Sequence, residues 1–138
     1  SSCGVIRGLH YQMPPHAQSK LVSVLQGSVI DVVVDIRRGS PYFGEHLEVE
    51  LSAENQKQLF IPCGFAHGYA CLSKTALLTY KVDSHYNKAA EASIAFDDSR
   101  LNIDWQIPEE KQVLSAKDRQ HPAFEAAPLF DYNTPLYD

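Results

Sequence analysis

Two short segments of this chain carry histidines in settings where an imidazole could act as a base. The first is Gly4-Val5-Ile6-Arg7-Gly8-Leu9-His10-Tyr11-Gln12. Strand alternation places His10 on one face with Gln12, and Arg7 on the other, unless a bulge at Gly8 changes the register. A histidine in a strand serves as a general base or as a hydrogen-bonded structural group, and the spacing alone leaves both interpretations open.

The second segment is Ile61-Pro62-Cys63-Gly64-Phe65-Ala66-His67-Gly68, in which a Pro-x-Gly turn precedes a histidine by a fixed spacing. This spacing resembles the second motif of the cupin superfamily, whose members are small double-stranded β-helix barrels. Metal-binding cupins carry His-x-His and a glutamate in their first motif. Here the corresponding stretch is His10-Tyr11-Gln12, with no acidic residue before Asp31. Since a tight divalent site usually needs three protein ligands, we expect a barrel without metal or other cofactor.

The elements that must position these histidines are strands, because the dominant hydrophobic period is two. Along Val29–Ile36, Ile30, Val32, Val34 and Ile36 alternate with a second set that includes Asp31 and Asp35. Further strands are predicted over Lys20–Leu25, Glu45–Leu51, Gln58–Ile61 and Thr75–Asp83, with turn residues between them. The pattern indicates an all-β fold, an antiparallel sandwich or barrel. The resemblance to cupins implies that this fold is a double-stranded β-helix or jelly-roll barrel. Ser115–Asp118 is expected to form one short turn, and the proline-containing tail from Pro122 to wrap the surface.

Length and charge limit the functions open to such a barrel. The 138 residues suit one domain, and the net charge of -5 argues against a nucleic-acid footprint, which requires a basic face. No apolar run approaches the roughly 20 residues of a membrane span. Three irregularly spaced cysteines form no disulfide framework, which favours a reduced, cytoplasmic location.

A specific resemblance extends over Gly4 to about Asp118. The strings GVIRGLHYQ, SKLVSVLQGSVIDVVVDIRRGSPYFG, VELSAENQKQLFIPCGFAHGY and NIDW are similar to those of the dTDP-4-dehydrorhamnose 3,5-epimerases. The resemblance implies a homodimer and a dTDP-linked 4-keto-6-deoxyhexose substrate. We treat residues 1–138 as a single epimerase barrel domain, and we expect the natural protein to continue before Ser1 with the family's N-terminal segment.

The chemistry of such an epimerase defines the site that the sequence must supply. The protons at C3 and C5 lie beside the C4 ketone, so their removal gives an enolate that needs a cation or donor. Inversion also needs an acid on the opposite ring face. By resemblance, the base is His10, oriented by Asp104, the acid is Tyr80, and Lys20 supplies positive charge near O4. The predicted substrate-binding residues are Arg7 for the diphosphate, His67 and Gln12 in the pocket, Asp31 beside Lys20 or the substrate, and Tyr86 stacked on thymine.

Three other functions remain open to a barrel of this kind. A single-site epimerase or 3,4-ketoisomerase would share the base, although a ketoisomerase that recycles its proton on one face does not need Tyr80. A non-catalytic sugar-binding module needs anchors such as Arg7 and Tyr86, but not the base, acid and cation together. A metal-dependent cupin dioxygenase or isomerase would contain stoichiometric metal.

Overall fold

The computed structural model describes residues 1–137 and is built almost entirely of strands, with three single-turn 3-10 helices. Strands in chain order are β1 (Ile6–Gln12), β2 (Lys20–Gln26), β3 (Ser28–Asp35), β4 (Arg37–Arg38), β5 (His46–Ser52), β6 (Gln58–Ile61), β7 (Phe65–Cys71), β8 (Leu77–Val82), β9 (Glu91–Ser93) and β10 (Phe130–Asp131). The short helices are Lys88–Ala90, Glu109–Lys111 and Phe124–Ala126. The five strands predicted from alternation are confirmed, with small shifts at their ends.

Two antiparallel sheets form the walls of a cupin-like barrel. A five-stranded sheet has the order β5-β3-β7-β1-β9, and a three-stranded sheet has the order β6-β2-β8. Strands β4 and β10 form a small parallel pair beside them. The all-β, jelly-roll class predicted from the sequence is therefore confirmed.

Strand β3 is an inner strand of the larger sheet and is buried on both faces, because each face packs against another part of the fold. Ile30, Val32 and Val34 pack on the outer side of that sheet with residues of the C-terminal segment. Val29 and Val33 face the smaller sheet and pack with residues such as Val22. The face that carries Asp31 is thus the barrel interior, where the carboxylate is fully buried.

The C-terminal tail contributes to the core. Phe124, Ala127 and Phe130 are buried in the outer cluster, and Phe130 pairs with Arg37 through β10 and β4. The tail that was expected to wrap the surface therefore also adds to the core, because its aromatic side chains cover the outer face of the larger sheet. This packing removes apolar surface of both partners from water.

Candidate active site

A pocket of about 440 Å³ opens into the barrel between the two sheets. The lining residues are Arg7, His10, Gln18, Lys20, His67, Gly68, Tyr69, Tyr80, Val82 and Tyr86. Six of these were predicted from the sequence as site residues: Arg7, His10, Lys20, His67, Tyr80 and Tyr86. The fold therefore gathers residues from distant parts of the chain around one cavity.

A bulge in β1 explains how Arg7 and His10 reach the same cavity. The pairing of β1 with β7 matches Arg7 with Tyr69 and His10 with His67, with a register shift between the two pairs. Gly8 occupies that shift with a φ of 141°, a conformation that favours glycine. The structure therefore has the bulge that simple alternation left open at Gly8, and Leu9 and Tyr11 lie in the hydrophobic core.

His10 pairs with a carboxylate that the sequence reasoning did not select. Its Nε2 lies 3.0 Å from Asp118 Oδ1, and its Nδ1 lies 4.0 Å from Glu91 Oε1. Asp104 is exposed and accepts a hydrogen bond from the backbone of Gln106 at 2.8 Å. The predicted His10–Asp104 pair is therefore corrected to His10–Asp118, because the Asp104 side chain closes a local turn.

Asp118 is held in place by the turn that contains it. Ser115 Oγ lies 3.0 Å from Asp118 Oδ2 and accepts the backbone N–H of Asp118 at 3.0 Å. The turn expected at Ser115–Asp118 is thus present. Burial opposes ionisation of Asp118, yet the contacts with His121, His10 and Ser115 keep its pKa below the usual value. The sequence signal that could have revealed this carboxylate is the spacing Ser-x-x-Asp, a common capping pattern.

The pKa of His10 is lowered, chiefly because burial disfavours the imidazolium. Asp118 and Glu91 act against burial by raising this pKa, while His121 and Lys20 add to it by lowering it. The net result is an imidazole that is neutral near pH 7, as a base must be. Its Nδ1 is shielded from water and has no hydrogen-bond partner in residues 1–137.

Lys20 and Tyr80 reach the pocket from the smaller sheet, on β2 and β8. Burial lowers the pKa of Lys20, although the carboxylates of Asp31 and Glu91 partly offset this decrease. Burial also raises the pKa of Tyr80, with further contributions from the neighbouring Tyr69 and from Asp31. The phenol is therefore protonated throughout the neutral range and can donate a proton.

Asp31 and Gln12 lie close to the pocket but are not among its lining residues. Asp31 Oδ1 lies 2.7 Å from His67 Nε2, and both side chains are buried. Gln12 is buried, and its amide contacts the backbone of His16, His85 and Asn87. The predicted substrate contact of Gln12 is therefore corrected: its polar atoms are engaged by the loop next to Tyr86 and do not face the cavity.

One group of side chains in residues 1–137 brings enough ligand atoms together to share a metal ion. His10, Asp118 and His121 place one such atom each within 4.8 Å of one another. The nitrogen–oxygen separations at Asp118 are 2.9 and 3.0 Å, which are hydrogen-bonding distances. Ligands about 2.0–2.2 Å from a tetrahedral zinc would lie roughly 3.3 Å apart. We therefore interpret the group as proton-sharing partners.

The sequence of residues 1–126 matches the family model described as dTDP-4-dehydrorhamnose 3,5-epimerase. The chain belongs to the dTDP-4-dehydrorhamnose 3,5-epimerase family. It is accordingly an isomerase, since members of this family interconvert stereoisomers.

Individual epimerases show how closely the chain follows this family. An enzyme of this name from Shigella flexneri is 48% identical over 130 residues, covering 94% of this chain and 71% of the relative. The crystal structure of an Elizabethkingia anophelis epimerase is similar with a TM-score of 0.89 and 55% identity, over 91% of this chain and 68% of that one. A Legionella pneumophila epimerase solved with dTDP-4-keto-L-rhamnose has a TM-score of 0.92 and 46% identity, over 97% and 72% of the two chains.

Sequence reasoning missed several residues of the site. They are Asp118 and His121 beside His10, Glu91 on β9, and the pocket-lining Gln18, Tyr69 and Val82. Tyr69 could not be selected from the sequence, because it lines the pocket beside Tyr80 only when β7 and β8 pack together.

Within residues 1–137, no helix is long and apolar enough to cross a membrane.

Proposed function

We propose that this epimerase inverts C3 and C5 of dTDP-4-keto-6-deoxy-D-glucose to give dTDP-4-keto-L-rhamnose. The observation that carries the proposal is the placement of His10 and Tyr80 on different sheets around one pocket. A sugar ring held between the sheets would have a base on one side and a proton donor on the other. Inversion requires such a pair because a single group returns the proton to the face it came from.

In the first step, His10 removes the proton beside the C4 ketone. The electron pair of the C–H bond forms the enolate, and the proton passes to the imidazole. Asp118 and Glu91 stabilise the resulting imidazolium through their negative charges. This is the orienting and charge-stabilising role of a carboxylate behind a catalytic histidine.

Lys20 would stabilise the negative charge that develops on the C4 oxygen. Its ammonium lines the pocket, and the nearby Asp31 and Glu91 carboxylates favour its charged form. A cation in a water-poor pocket stabilises an enolate far more than the same charge in bulk water. Lys20 therefore makes proton removal by a weak base such as histidine feasible.

In the second step, Tyr80 donates its phenolic proton to the opposite face of the enolate. The new C–H bond completes one inversion. Before either group can act again, the tyrosinate must recover a proton from solvent and the His10 imidazolium must release one to it. Asp31 and Tyr69 favour the neutral phenol, which promotes this recovery. Repetition at the second carbon gives the doubly inverted sugar.

Arg7, His67 and Tyr86 would anchor the substrate. The Arg7 guanidinium is about half exposed at the pocket and could bind two diphosphate oxygens at once. His67 lies against the sugar region beside Tyr80, with ring centroids 6.2 Å apart. The Tyr86 ring is exposed, and its hydroxyl lies 2.7 Å from Glu91 Oε2, leaving a face free to stack on thymine.

The direct test is product analysis. The protein is incubated with dTDP-4-keto-6-deoxy-D-glucose, the product is reduced with borohydride, and the sugar configuration is determined by NMR. The proposal predicts inversion at both C3 and C5. Inversion at one carbon would identify a single-site epimerase, and movement of the ketone to C3 a ketoisomerase. Either product would overturn the proposal.

We also propose that the protein works in the cytoplasm as a homodimer, without a cofactor and with no nucleic-acid or membrane partner. All three cysteines are unpaired, which suits a reducing compartment. Light scattering on the purified protein tests the dimer, and elemental analysis tests the absence of metal. A monomer in solution, or stoichiometric bound metal, would contradict these proposals.

A further inference from the structure

Two histidines meet at a single carboxylate oxygen behind the pocket. Asp118 Oδ1 lies 3.0 Å from His10 Nε2 and 2.9 Å from His121 Nε2. The two imidazole rings stand edge to face, with centroids 5.1 Å apart. His121 does not line the pocket, and its side chain is only 5% exposed. Any effect of His121 on a reaction in the pocket must therefore pass through Asp118 and His10.

The opposite side of the His121 ring is held by strand β9. Its Nδ1 lies 2.8 Å from Ser93 Oγ, and Ser93 is the residue that pairs with His10 between β1 and β9. The strand that lies beside His10 therefore also fixes His121. Ser93, His121, Asp118 and His10 form a continuous chain of polar contacts, which we call the Ser93–His10 chain.

Hydrogen-bond chemistry assigns the protons of this chain. An ionised carboxylate only accepts, so the nitrogen of His121 that faces Asp118 must carry its proton. The other nitrogen then accepts from the Ser93 hydroxyl. Neutral His121 is thus satisfied at both nitrogens, and its orientation is determined. A protonated His121 would lose the Ser93 hydrogen bond unless the hydroxyl turned round.

We propose that His121 is a positioning residue of the epimerase, which fixes Asp118 against His10 and keeps His10 in the tautomer that leaves Nδ1 free. The inference rests on the proposed role of His10 as the base. His121 would be remote from the substrate and would influence it through Asp118 and His10. Proton removal then depends on His121, although His121 does not contact the sugar.

Several charged groups face His10 besides Asp118. They are Glu91 on the neighbouring strand β9, Lys20 on β2 of the smaller sheet, and His121 itself. The carboxylates favour a proton on His10, whereas Lys20 and a charged His121 disfavour it. As the pH falls, a proton taken up by His121 would disfavour one on His10, since both imidazolium ions would share one Asp118 oxygen. A residue at position 121 that takes up no proton should therefore make His10 easier to protonate.

The test compares His121→Ala and His121→Gln in the full chain. Glutamine can place an amide N–H near Asp118 without titrating, whereas alanine removes the contact. Two-dimensional ¹⁵N NMR of the substrate-free protein reports the tautomer and pKa of His10. We expect one tautomer in the wild type and in His121→Gln, a mixture in His121→Ala, and a higher His10 pKa in His121→Gln than in the wild type.

Turnover provides the second readout. Loss of one hydrogen bond to a charged group predicts a decrease of kcat by about tenfold in His121→Ala, with most of it recovered in His121→Gln. Ser93→Ala should lower kcat less than His121→Ala, because it removes only the outer contact. If His121→Ala does not fold, the His10 titration in His121→Gln decides the question.

An unchanged tautomer and pKa of His10 in both His121 variants would overturn the inference. So would wild-type kcat in a folded His121→Ala. The NMR measurements need no substrate, so their outcome is independent of whether the proposed sugar is correct. A failed substrate assay combined with the expected NMR shifts would reject the proposed function and leave the positioning role standing.

Discussion

Burial and the neighbouring carboxylates change the pKa of His10 in opposite directions. Burial has the largest effect and lowers the pKa, and the carboxylates of Asp118 and Glu91 only partly offset it. A base must be neutral to accept a proton, so activity is present above this pKa and is lost as the pH falls through it. We therefore expect the acidic limb of kcat/KM to lie below 6.5, the ordinary histidine value. A limb clearly above 6.5 in a full pH profile would contradict the arrangement.

Asp118 and Asp104 provide a matched pair of substitutions. Asp118→Asn keeps the shape of the side chain but removes the charge beside His10, and a comparable change behind a catalytic histidine lowers kcat by up to about 10⁴-fold. We expect a decrease of at least about a hundredfold. Asp104→Asn changes only an exposed turn residue and should retain near wild-type kcat. Steady-state kinetics on both variants measures the difference, and equal losses would remove the assigned pair.

Substitutions of Arg7 and of His10 should change different kinetic constants. Arg7 would bind a diphosphate that is charged in both the ground and transition states, so Arg7→Ala should raise KM by roughly tenfold or more with little change in kcat. His10→Ala should instead lower kcat severely. Both constants can be measured on the same substrate series. Unchanged kcat in His10→Ala would reject His10 as the base.

At the scale of elements, the close approach of β1 and β7 shapes the floor of the pocket. A Cβ added at Gly68 would lie 2.6 Å from the backbone oxygen of Arg7 and 3.0 Å from Trp105. The same addition at Gly39 meets nothing closer than 3.6 Å, although its φ of 92° favours glycine. Substitutions at these two glycines can therefore distinguish the effect of steric crowding on stability from the effect of backbone strain.

Gly68→Ala should lower the free energy of unfolding by about 3 kcal/mol, because the backbone of β1 would have to move. Gly39→Ala should cost about 1 kcal/mol, the penalty of a left-handed residue. Urea denaturation of both variants measures the two values. Equal destabilisation would show that crowding between β1 and β7 is unimportant.

The strands were predictable because apolar residues recur at every second position in the sequence, as in β3 and β5. The two-sided burial of β3 was less visible, because the alternation marks one apolar face and a second face with two carboxylates, whereas the structure buries both faces. The smaller sheet covers one face of β3 and the C-terminal segment covers the other, and the local pattern does not encode this packing. Asp118 was missed for a similar reason, since a turn residue has no periodicity and reaches His10 only through tertiary packing.

At the scale of the whole molecule, the site depends on two sheets meeting face to face. Strands β1 and β7 bring His10, Arg7 and His67 from the larger sheet, and β2 and β8 bring Lys20 and Tyr80 from the smaller one. The protein carries a net charge of -5, yet Arg7 and Lys20 place positive charge at the pocket. This local charge suits an anionic sugar nucleotide and could not be inferred from the overall composition.

The two-sided arrangement makes proton removal and inversion separable. In Tyr80→Phe, the base and the enolate cation remain, so His10 can still remove a proton and return one to the same face. Loss of a positioned acid should slow inversion by roughly a hundredfold or more, while exchange with solvent continues. The ratio of exchange to inversion is therefore the informative quantity, because water could partly replace the missing hydroxyl.

The central claim is tested most directly by running wild type and Tyr80→Phe in heavy water with dTDP-4-keto-6-deoxy-D-glucose and following C3 and C5 by NMR. The wild type should incorporate deuterium as it inverts both carbons. Tyr80→Phe should incorporate deuterium at C3 or C5 markedly faster than it inverts either one. Inversion by Tyr80→Phe at the wild-type rate would contradict the account, since the opposing proton would then come from another donor.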